Sequence, residues 1–520
     1  MRFDRSFLRT CVRASILLSA MFAAAARLPG QSSASATGAT GRLLVVYRNG
    51  SIPGDAETRS ARVGARVLQR HERFGTAVVA ASSAAEAQLR ADPSVEYVVR
   101  DRPINGSRLA VRAQAAATAS DGRTAPTLRA NVPRLVIPQE ATDSWYTDSP
   151  QGWAVRAVGG FGGGIAGSAA AGPWATTTGA GVRIAILDSG VDRNHPDIAP
   201  NLLLNISEVN QKDQPSACDD GSPQDQSGHG TWVASLATAA AGAGTGRVVG
   251  VAPSASLLNI KVLQRLPGSG STMAAQCASG QASGMLSWVL QGIDDAMAQH
   301  ADVIVLSMSV TLDLYSGDSA GVKASFDRVT HAAAQAGAVL VAAIGNEAFD
   351  LSNPRYIEVP AQSRDVLAVV ASTNPACAEN LQTGAICTAG AVTLPYYSNF
   401  GSALNAVAAP GGSYPAGADD AVSGWVRGAC SSGLPNTADG LPTDSNHSLG
   451  CFNLGHTQYV QALGTSASAP LAAGVVALVR SAHPDWSVAT VLAAVRASAK
   501  ATAKLPYGVV DAAAALAYKP

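Results

Sequence analysis

Short apolar runs recur along this chain with the spacing of strands, and amphipathic stretches between them have the spacing of helices. Near the front, Leu43–Tyr47 (LLVVY), Phe74–Ala81 (FGTAVVAA) and Val95–Val99 (VEYVV) read as strands. Ala61–Arg70 and Ala84–Ala91 read as helices, the second stopped by Asp92–Pro93. Strands alternating with helices over so short a span predict a small α+β unit at residues 42–104. Residues 105–150 lose periodicity and are rich in Ala, Thr, Ser and Pro, which predicts an exposed linker containing a processing site.

From residue 151 to 520 the pattern changes. Continuous apolar runs appear at Val182–Leu187, Leu257–Leu263, Val303–Leu306, Ala338–Ile344 and Val366–Ala371, with helical patterns such as Gly284–His300 and Val322–Ala336 between some of them. Buried strands alternating with helices predict an α/β fold: a parallel sheet with helices on both faces. Ligands of such sheets bind outside the carboxyl ends of the strands, so chemistry should be sought just after each run.

Composition narrows the class. Of 520 residues, 47% are apolar and 14% charged, which excludes a disordered chain. Charge is balanced overall but not locally: residues 1–112 hold 17 Lys+Arg against 8 Asp+Glu, a net +9, and the remainder 20 against 29, a net −9. An acidic main body argues against nucleic-acid binding. No apolar run reaches the roughly 18 residues that a membrane span needs, so no membrane anchor is expected. Arg2, Arg5, Arg9 and Arg13 precede an apolar stretch, Ala14–Ala26, that ends in small residues with Ala24 and Ala26 in the A-x-A positions. This is the layout of a signal peptide over 1–26, followed by a spacer over 27–41, and predicts a bacterial exported chain, extracellular or periplasmic. Beyond Cys11, six cysteines remain: Cys218, Cys277, Cys377, Cys387, Cys430 and Cys451. An even number in an exported chain suggests disulfides. Closing the shortest loops would pair 218 with 277, 377 with 387 and 430 with 451. Zinc is the competing reading, but no C-x-x-C is present.

The strand ends carry an acid, a base, a hydroxyl and an amide. The first strand of the large region runs into Asp188–Ser189–Gly190, and Ala338–Ile344 runs into Gly345–Asn346. Gly228–His229–Gly230–Thr231 precedes a helix-like stretch, Trp232–Ala240, and Gly464–Thr465–Ser466 opens an Ala/Val/Leu-rich helix ending near Ser481. A serine hydroxyl needs an adjacent base to act as a nucleophile. Histidine can take and return that proton, and a buried carboxylate can orient the imidazole. Ser466 at a helix start lies among unpaired N–H groups, so its own N–H and the Asn346 amide are the natural donors to an oxyanion. His195, in Asn-His-Pro-Asp, reads as a turn residue, and His456 as a loop residue.

Asp-Ser-Gly at 188, Gly-His-Gly-Thr at 228, Gly-Asn at 345 and Gly-Thr-Ser-x-x-x-Pro at 464, with Gly250–Val251–Ala252–Pro253 and Lys261–Val262–Leu263 between them, resemble the blocks of the subtilisin-like serine proteases in their Asp…His…Ser order. Residues 42–104 resemble that family's inhibitory propeptide. The resemblance implies a zymogen whose mature part, 151–520, hydrolyses polypeptides through Asp188, His229 and Ser466, with Asn346 and Ser466 in the oxyanion hole. It implies that Ala282–Ser283–Gly284 pairs with substrate backbone, and that Ser307–Met308–Ser309 and Gly345 line the pocket for the residue before the scissile bond. The propeptide would serve as intramolecular chaperone and inhibitor, no cofactor would be required, and the enzyme would be a monomer.

The chain departs from the family in places. Trp232 stands where histidine is usual, as packing or as a reshaped leaving-group side. Ser309 replaces a glycine, which should narrow the pocket or add a polar contact. Structural calcium is possible, but Ala241–Val249 lacks acidic residues; Asp197 is a candidate ligand, and Asp219, Asp220 and Asp225 form a second candidate group that reads more readily as an acidic surface loop. An inactive subtilase-fold binding protein would have lost a triad member, and none is lost. A serine esterase of α/β-hydrolase type would show the order Ser…Asp…His.

Overall fold

The computed structural model describes residues 41–105, 152–160, 172–241, 248–374, 392–413, 426–433 and 459–520, Lys504 apart. The expected signal peptide, most of the linker, and Cys377, Cys387, Cys451 and His456 lie outside these residues.

The amino-terminal part is a four-stranded antiparallel sheet in the order β2-β3-β1-β4, formed by β1 (Gly41–Tyr47), β2 (Arg66–His71), β3 (Thr76–Ala81) and β4 (Val95–Arg100). Two helices accompany it, α1 (Ala56–Arg62) and α2 (Ser83–Ala91), the latter capped by the Ser82 side chain. The expected helix over Ala61–Arg70 is corrected. The helix ends at Arg62, and Arg66–His71 is a strand paired with β3. Gly64, at φ +78°, turns the chain out of the helix, and the sheet then overrides a weak local preference. After β4 the chain adds β5 (Pro103–Asn105), which leaves this sheet altogether.

The large region is built on a nine-stranded sheet of order β19-β20-β16-β15-β13-β11-β6-β8-β7. Its parallel strands are β6 (Arg183–Asp188), β7 (Leu202–Ser207), β8 (Ser256–Lys261), β11 (Val303–Leu306), β13 (Val339–Ala343), β15 (Val366–Ser372), β16 (Ala406–Pro410) and β20 (Leu505–Val509). Only the edge strand β19 (Lys500–Thr502) runs antiparallel. Alternation along each strand divides the core. Ile184 and Ile186, Val303 and Val305, and Val339 and Val341 join one buried cluster, and their neighbours Ala185 and Leu187, Ile304 and Leu306, and Leu340 and Ala342 join the other. The first cluster is covered by α3 (Trp153–Ala157), α4 (His229–Thr238), α8 (Thr465–Ala482), α9 (Val488–Ser498) and α10 (Ala512–Leu516). The second is covered by α6 (Leu286–Ala298) and α7 (Ser319–Gln335), and it continues into Leu44, Val46, Phe74, Val78 and Val99 of the amino-terminal sheet. One face of that small sheet is thus buried on the large region.

Short antiparallel pieces decorate the rim. They are β9 (Gln264–Leu266) and β10 (Gln281–Met285), with the short helix α5 (Met273–Ala278) between them, β12 (Val310–Asp313) with β14 (Tyr356–Val359), and β17 (Val426–Ala429) with β18 (Tyr459–Ala462). Among the described residues no helix is long and apolar enough to cross a membrane.

Candidate active site

Asp188 is the last residue of β6, and His229 is the first of α4. The structure brings them into contact across 41 residues: His229 Nδ1 lies 2.7 Å from Asp188 Oδ1, both side chains buried. Glycine makes this approach possible. A Cβ at Gly230 would fall 2.1 Å from the Gly190 carbonyl oxygen, so the loop bearing Asp188 and the helix bearing His229 could not close with a larger residue there. Burial works against the imidazolium, but the charge and hydrogen bond of Asp188 outweigh it and hold His229 above its ordinary value.

Asp225, which lies outside the sequence motifs, sets this geometry. It is wholly buried. Its Oδ1 accepts from the backbone N–H of Ser227 and Gly228 and from the Ser189 hydroxyl, at 2.9, 2.8 and 2.9 Å. Its Oδ2 accepts from the backbone and hydroxyl of Thr231, at 2.9 and 2.6 Å. One carboxylate therefore ties the loop after Asp188 to both sides of His229. The only sequence signal for it is an acid four residues before the histidine.

Ser466 is the second residue of α8 and is 1% exposed. Its hydroxyl faces the Ser307 carbonyl at 3.5 Å, and Ser307 Oγ donates to the Ser466 carbonyl at 3.1 Å. His229 Nε2 has no hydrogen-bond partner among the described residues, so the hydroxyl and that ring nitrogen are not joined. Such bonds are often loose until substrate binds. Asn346 Oδ1 accepts from the backbone N–H and hydroxyl of Thr465, both at 2.9 Å. Because that N–H can only donate, the Asn346 amide nitrogen is turned the other way. A Cβ at Gly464 would lie 3.2 Å from Asn346 Nδ2 and 3.7 Å from the Ser466 nitrogen, so the two donors flank one small space.

Ala282, Ser283 and Gly284 lie in β10, with β9 on one side and β5 on the other. Ser283 pairs with Asn105 and Gly284 with Ile104, antiparallel. Ser307 and Ser309 fall on one side of their extended segment. Met308 does not join them; it is fully buried in the core beneath, because successive side chains of an extended chain point opposite ways. Ser309 borders Gly345: a Cβ on that glycine would come within 3.1 Å of its hydroxyl. Behind Ser309 stands Glu358 of β14, a lone acid in an apolar strand that the sequence reading passed over.

Trp232 is fully buried, edge-on to His229, and donates to the Val426 carbonyl at 3.2 Å, which is a packing role. His195 Nδ1 accepts from the Asp197 backbone, as a turn residue would. Three of the four calcium candidates are engaged by groups of the protein itself. Asp219 is paired with the buried Lys261 at 2.8 Å, Asp225 is committed as above, and Asp197 accepts from Tyr459 at 2.9 Å and from the Val248 backbone at 3.3 Å. Among the described residues no three His, Cys, Asp or Glu side chains gather as metal ligands. Cys218 and Cys277 are bonded, with Cα atoms 5.2 Å apart. Cys430 is also disulfide-bonded.

An α/β sheet whose strand ends gather a buried acid–imidazole pair, a helix-opening serine and an asparagine amide is built in the manner of serine hydrolases. Residues 179–513, more than half of the chain, match the Subtilase family, and the chain belongs to that family. It is 30% identical over 316 residues to Subtilisin NAT of Bacillus subtilis subsp. natto, covering 60% of this chain and 59% of that protein. It is 39% identical over 138 residues to an intracellular serine protease of Paenibacillus polymyxa, covering 26% of this chain and 35% of that protein. Each match thus spans less than two thirds of the relative's own length. Among solved structures, the epidermin leader peptide processing serine protease of Staphylococcus aureus aligns with a TM-score of 0.60 at 17% identity, over 92% of this chain and 98% of that one. Fervidolysin of Fervidobacterium pennivorans, a keratinolytic enzyme related to subtilisin, aligns with a TM-score of 0.58 at 18% identity, over 92% and 61%. At such identities these two likenesses speak to the fold.

Proposed function

We propose that the chain is a serine endopeptidase made as an exported zymogen, with Ser466 as nucleophile, His229 as base, Asp188 as its orienting acid, and Asn346 Nδ2 with the Ser466 N–H as oxyanion donors. The observation that carries this reading is the strand that Pro103–Asn105 adds to β10. The chain's own backbone lies along Gln281–Met285 as an extended peptide, the manner in which a polypeptide substrate is held by strand addition. The same strand supports reading 42–104 as an inhibitory propeptide, since a substrate would have to displace it. The Cys218–Cys277 bond fits an oxidising compartment.

The chemistry follows from the placements. The Ser466 hydroxyl turns from the Ser307 carbonyl to His229 Nε2, gives up its proton there, and attacks the substrate carbonyl carbon. The oxyanion forms between Asn346 Nδ2 and the Ser466 N–H. The proton passes from Nε2 to the departing amine, which leaves an acyl-serine, and water then repeats the cycle to free the acid and restore the hydroxyl. Asp188 stabilises the imidazolium throughout.

A fluorophosphonate probe should label the matured natural chain but not Ser466→Ala, and polypeptide hydrolysis should fall by several orders of magnitude in that variant. Labelling of Ser466→Ala at the natural rate would remove Ser466 as nucleophile. A chain that labels but cleaves no polypeptide would favour an esterase.

A further inference from the structure

Glu358 is 1% exposed and belongs to no part of the chemistry above. The antiparallel pairing of β12 with β14 sets it opposite Thr311, whose hydroxyl donates to Glu358 Oε2 at 2.6 Å. The Ser309 hydroxyl is near enough to favour the charged form of that carboxylate. Ser309 is also the residue that faces Gly345, whose backbone N–H points to the Thr465 hydroxyl at 3.3 Å, one residue before Ser466. The path from the nucleophile thus runs from Ser466 to Ser307, then to Ser309 and Gly345, and ends on a carboxylate. A second carboxylate borders the same glycine. Glu347 Oε2 would lie 2.7 Å from a Cβ on Gly345, and it is held there by the Asn346 N–H at 2.8 Å and by Asn399 Nδ2 at 3.0 Å. Arg355, the nearest cation along the β14 segment, is engaged with Asp313 instead.

We infer that Glu358, assisted by Glu347, makes this pocket selective for a cationic side chain, arginine or lysine, on the residue before the scissile bond. The inference rests on the proposed reading of Ser307–Ser309 as the wall of that pocket. A guanidinium is planar and offers paired N–H donors that match a carboxylate, and it would meet one acid at the floor and another at the rim. Burial pushes the Glu358 carboxyl up to about 8, with the Thr311 hydrogen bond opposing this and the charge of Glu347 adding to it. Without a cation the group therefore holds its proton near neutrality, and an arriving cation takes that proton's place. A neutral substrate side chain would leave the acid buried with nothing but hydroxyls, and so gains nothing from it.

The test uses the full chain after maturation and peptides alike except for the residue before the cleaved bond: arginine, lysine, citrulline or phenylalanine. Citrulline keeps the shape of arginine and removes its charge. Arginine should exceed citrulline in kcat/KM by about 10–10³-fold. In Glu358→Gln most of that ratio should vanish, and in Glu347→Gln part of it. Equal rates for arginine and citrulline in the natural chain would overturn the inference, and so would a Glu358→Gln chain that keeps the ratio. A readout that needs no variant is protection of Ser466 from the fluorophosphonate by benzamidine, an aryl amidinium; no protection overturns the inference as well. Failure of the underlying reading looks different, because Ser466 would then not label at all.

Discussion

The Asp101 carboxylate accepts both the backbone N–H and the hydroxyl of Ser287, at 3.0 and 2.7 Å. An acid of the amino-terminal domain therefore caps the first turn of α6 in the large region, where unpaired N–H groups and the helix dipole favour negative charge. Arg42 holds the same carboxylate from its own side at 3.0 Å, and the next residue, Arg102, offers its carbonyl to the Leu286 N–H at 3.0 Å. Asp101 is a docking residue, and its loss should show in docking. In a Ser466→Ala chain opened at an engineered site in the linker, Asp101→Ala should weaken retention of the amino-terminal domain by about 2 kcal/mol, roughly 30-fold in Kd. An unchanged dissociation constant would mean that β5 and the buried face of the small sheet hold the domain without help from Asp101.

His71 ends β2 and is wholly buried, stacked near Phe74, with no well-formed hydrogen bond from the described residues to either ring nitrogen. Two residues earlier, Gln69 Nε2 donates to Gln291 Oε1 of α6 at 2.6 Å, so this strand end lies against the large region. Burial pushes the imidazole down to about 4, against the weaker pull of Asp294 and Asp101. Once the domain is released or unfolded, the ring returns toward its ordinary 6.5. The freed state then binds more protons between those two values, so docking is strongest above about 6.5 and weakens as pH falls toward 4. Release of the domain measured between neutral and acid pH should accelerate in the natural chain, and His71→Phe should flatten that dependence. Identical profiles for the two chains would show that His71 is not the responsible group.

The parallel strands were legible because burial on both faces leaves continuous apolar runs, as at Val303–Leu306 and Val339–Ala343. Asp188, His229, Asn346 and Ser466 were legible because they sit where such runs end, in short glycine-bearing motifs. What escaped depends on partners far away in sequence. Arg66–His71 becomes a strand only because β3 is there to pair with it. Asp225 acquires its meaning from Ser189, 36 residues earlier, and from the loop around His229. Glu358 is set opposite Thr311 by a pairing between short strands that no local pattern announces. Met308 reads as a pocket residue by its position in the chain and is a core residue by the direction of its side chain.

The Cys218–Cys277 bond closes a separation of 59 residues that contains Asp219, its buried partner Lys261, and β8 and β9. Restricting an unfolded loop of that size is worth about 4 kcal/mol at most in chain-entropy terms. Replacing both cysteines by alanine should lower the melting temperature by roughly 5 °C at most. Labelling of Ser466 by fluorophosphonate should survive at low temperature, because among the described residues no hydrogen bond joins either cysteine to Asp188, His229 or Ser466. Unchanged melting would mean that the loop is held by the Lys261–Asp219 pair and its neighbours without the covalent link.

Asp225 yields the most specific expectation. Five donors among the described residues point at its two oxygens, which argues for an ionised carboxylate even though burial pushes the group upward. Its charge is one of the influences that hold His229 above its ordinary value, after those of Asp188. Asp225→Asn keeps the shape but must turn an NH2 toward at least one backbone N–H, of Thr231 or of Ser227 and Gly228, which can only donate, so at least one N–H is left without a partner at a cost of about 1–3 kcal/mol. A merely structural loss would lower stability and leave the pH profile in place. A positioning role predicts more. The base must be neutral to accept the Ser466 proton, so the acid limb of kcat/KM follows the imidazole. With one negative charge removed, that imidazole holds its proton less tightly, and the acid limb should move to lower pH while the maximal kcat falls. The measurement is the pH profile of peptide hydrolysis for the natural chain and for Asp225→Asn, taken well below the melting temperature of each. An acid limb that stays in place, or moves upward, would show that Asp225 supports the loop without acting on His229.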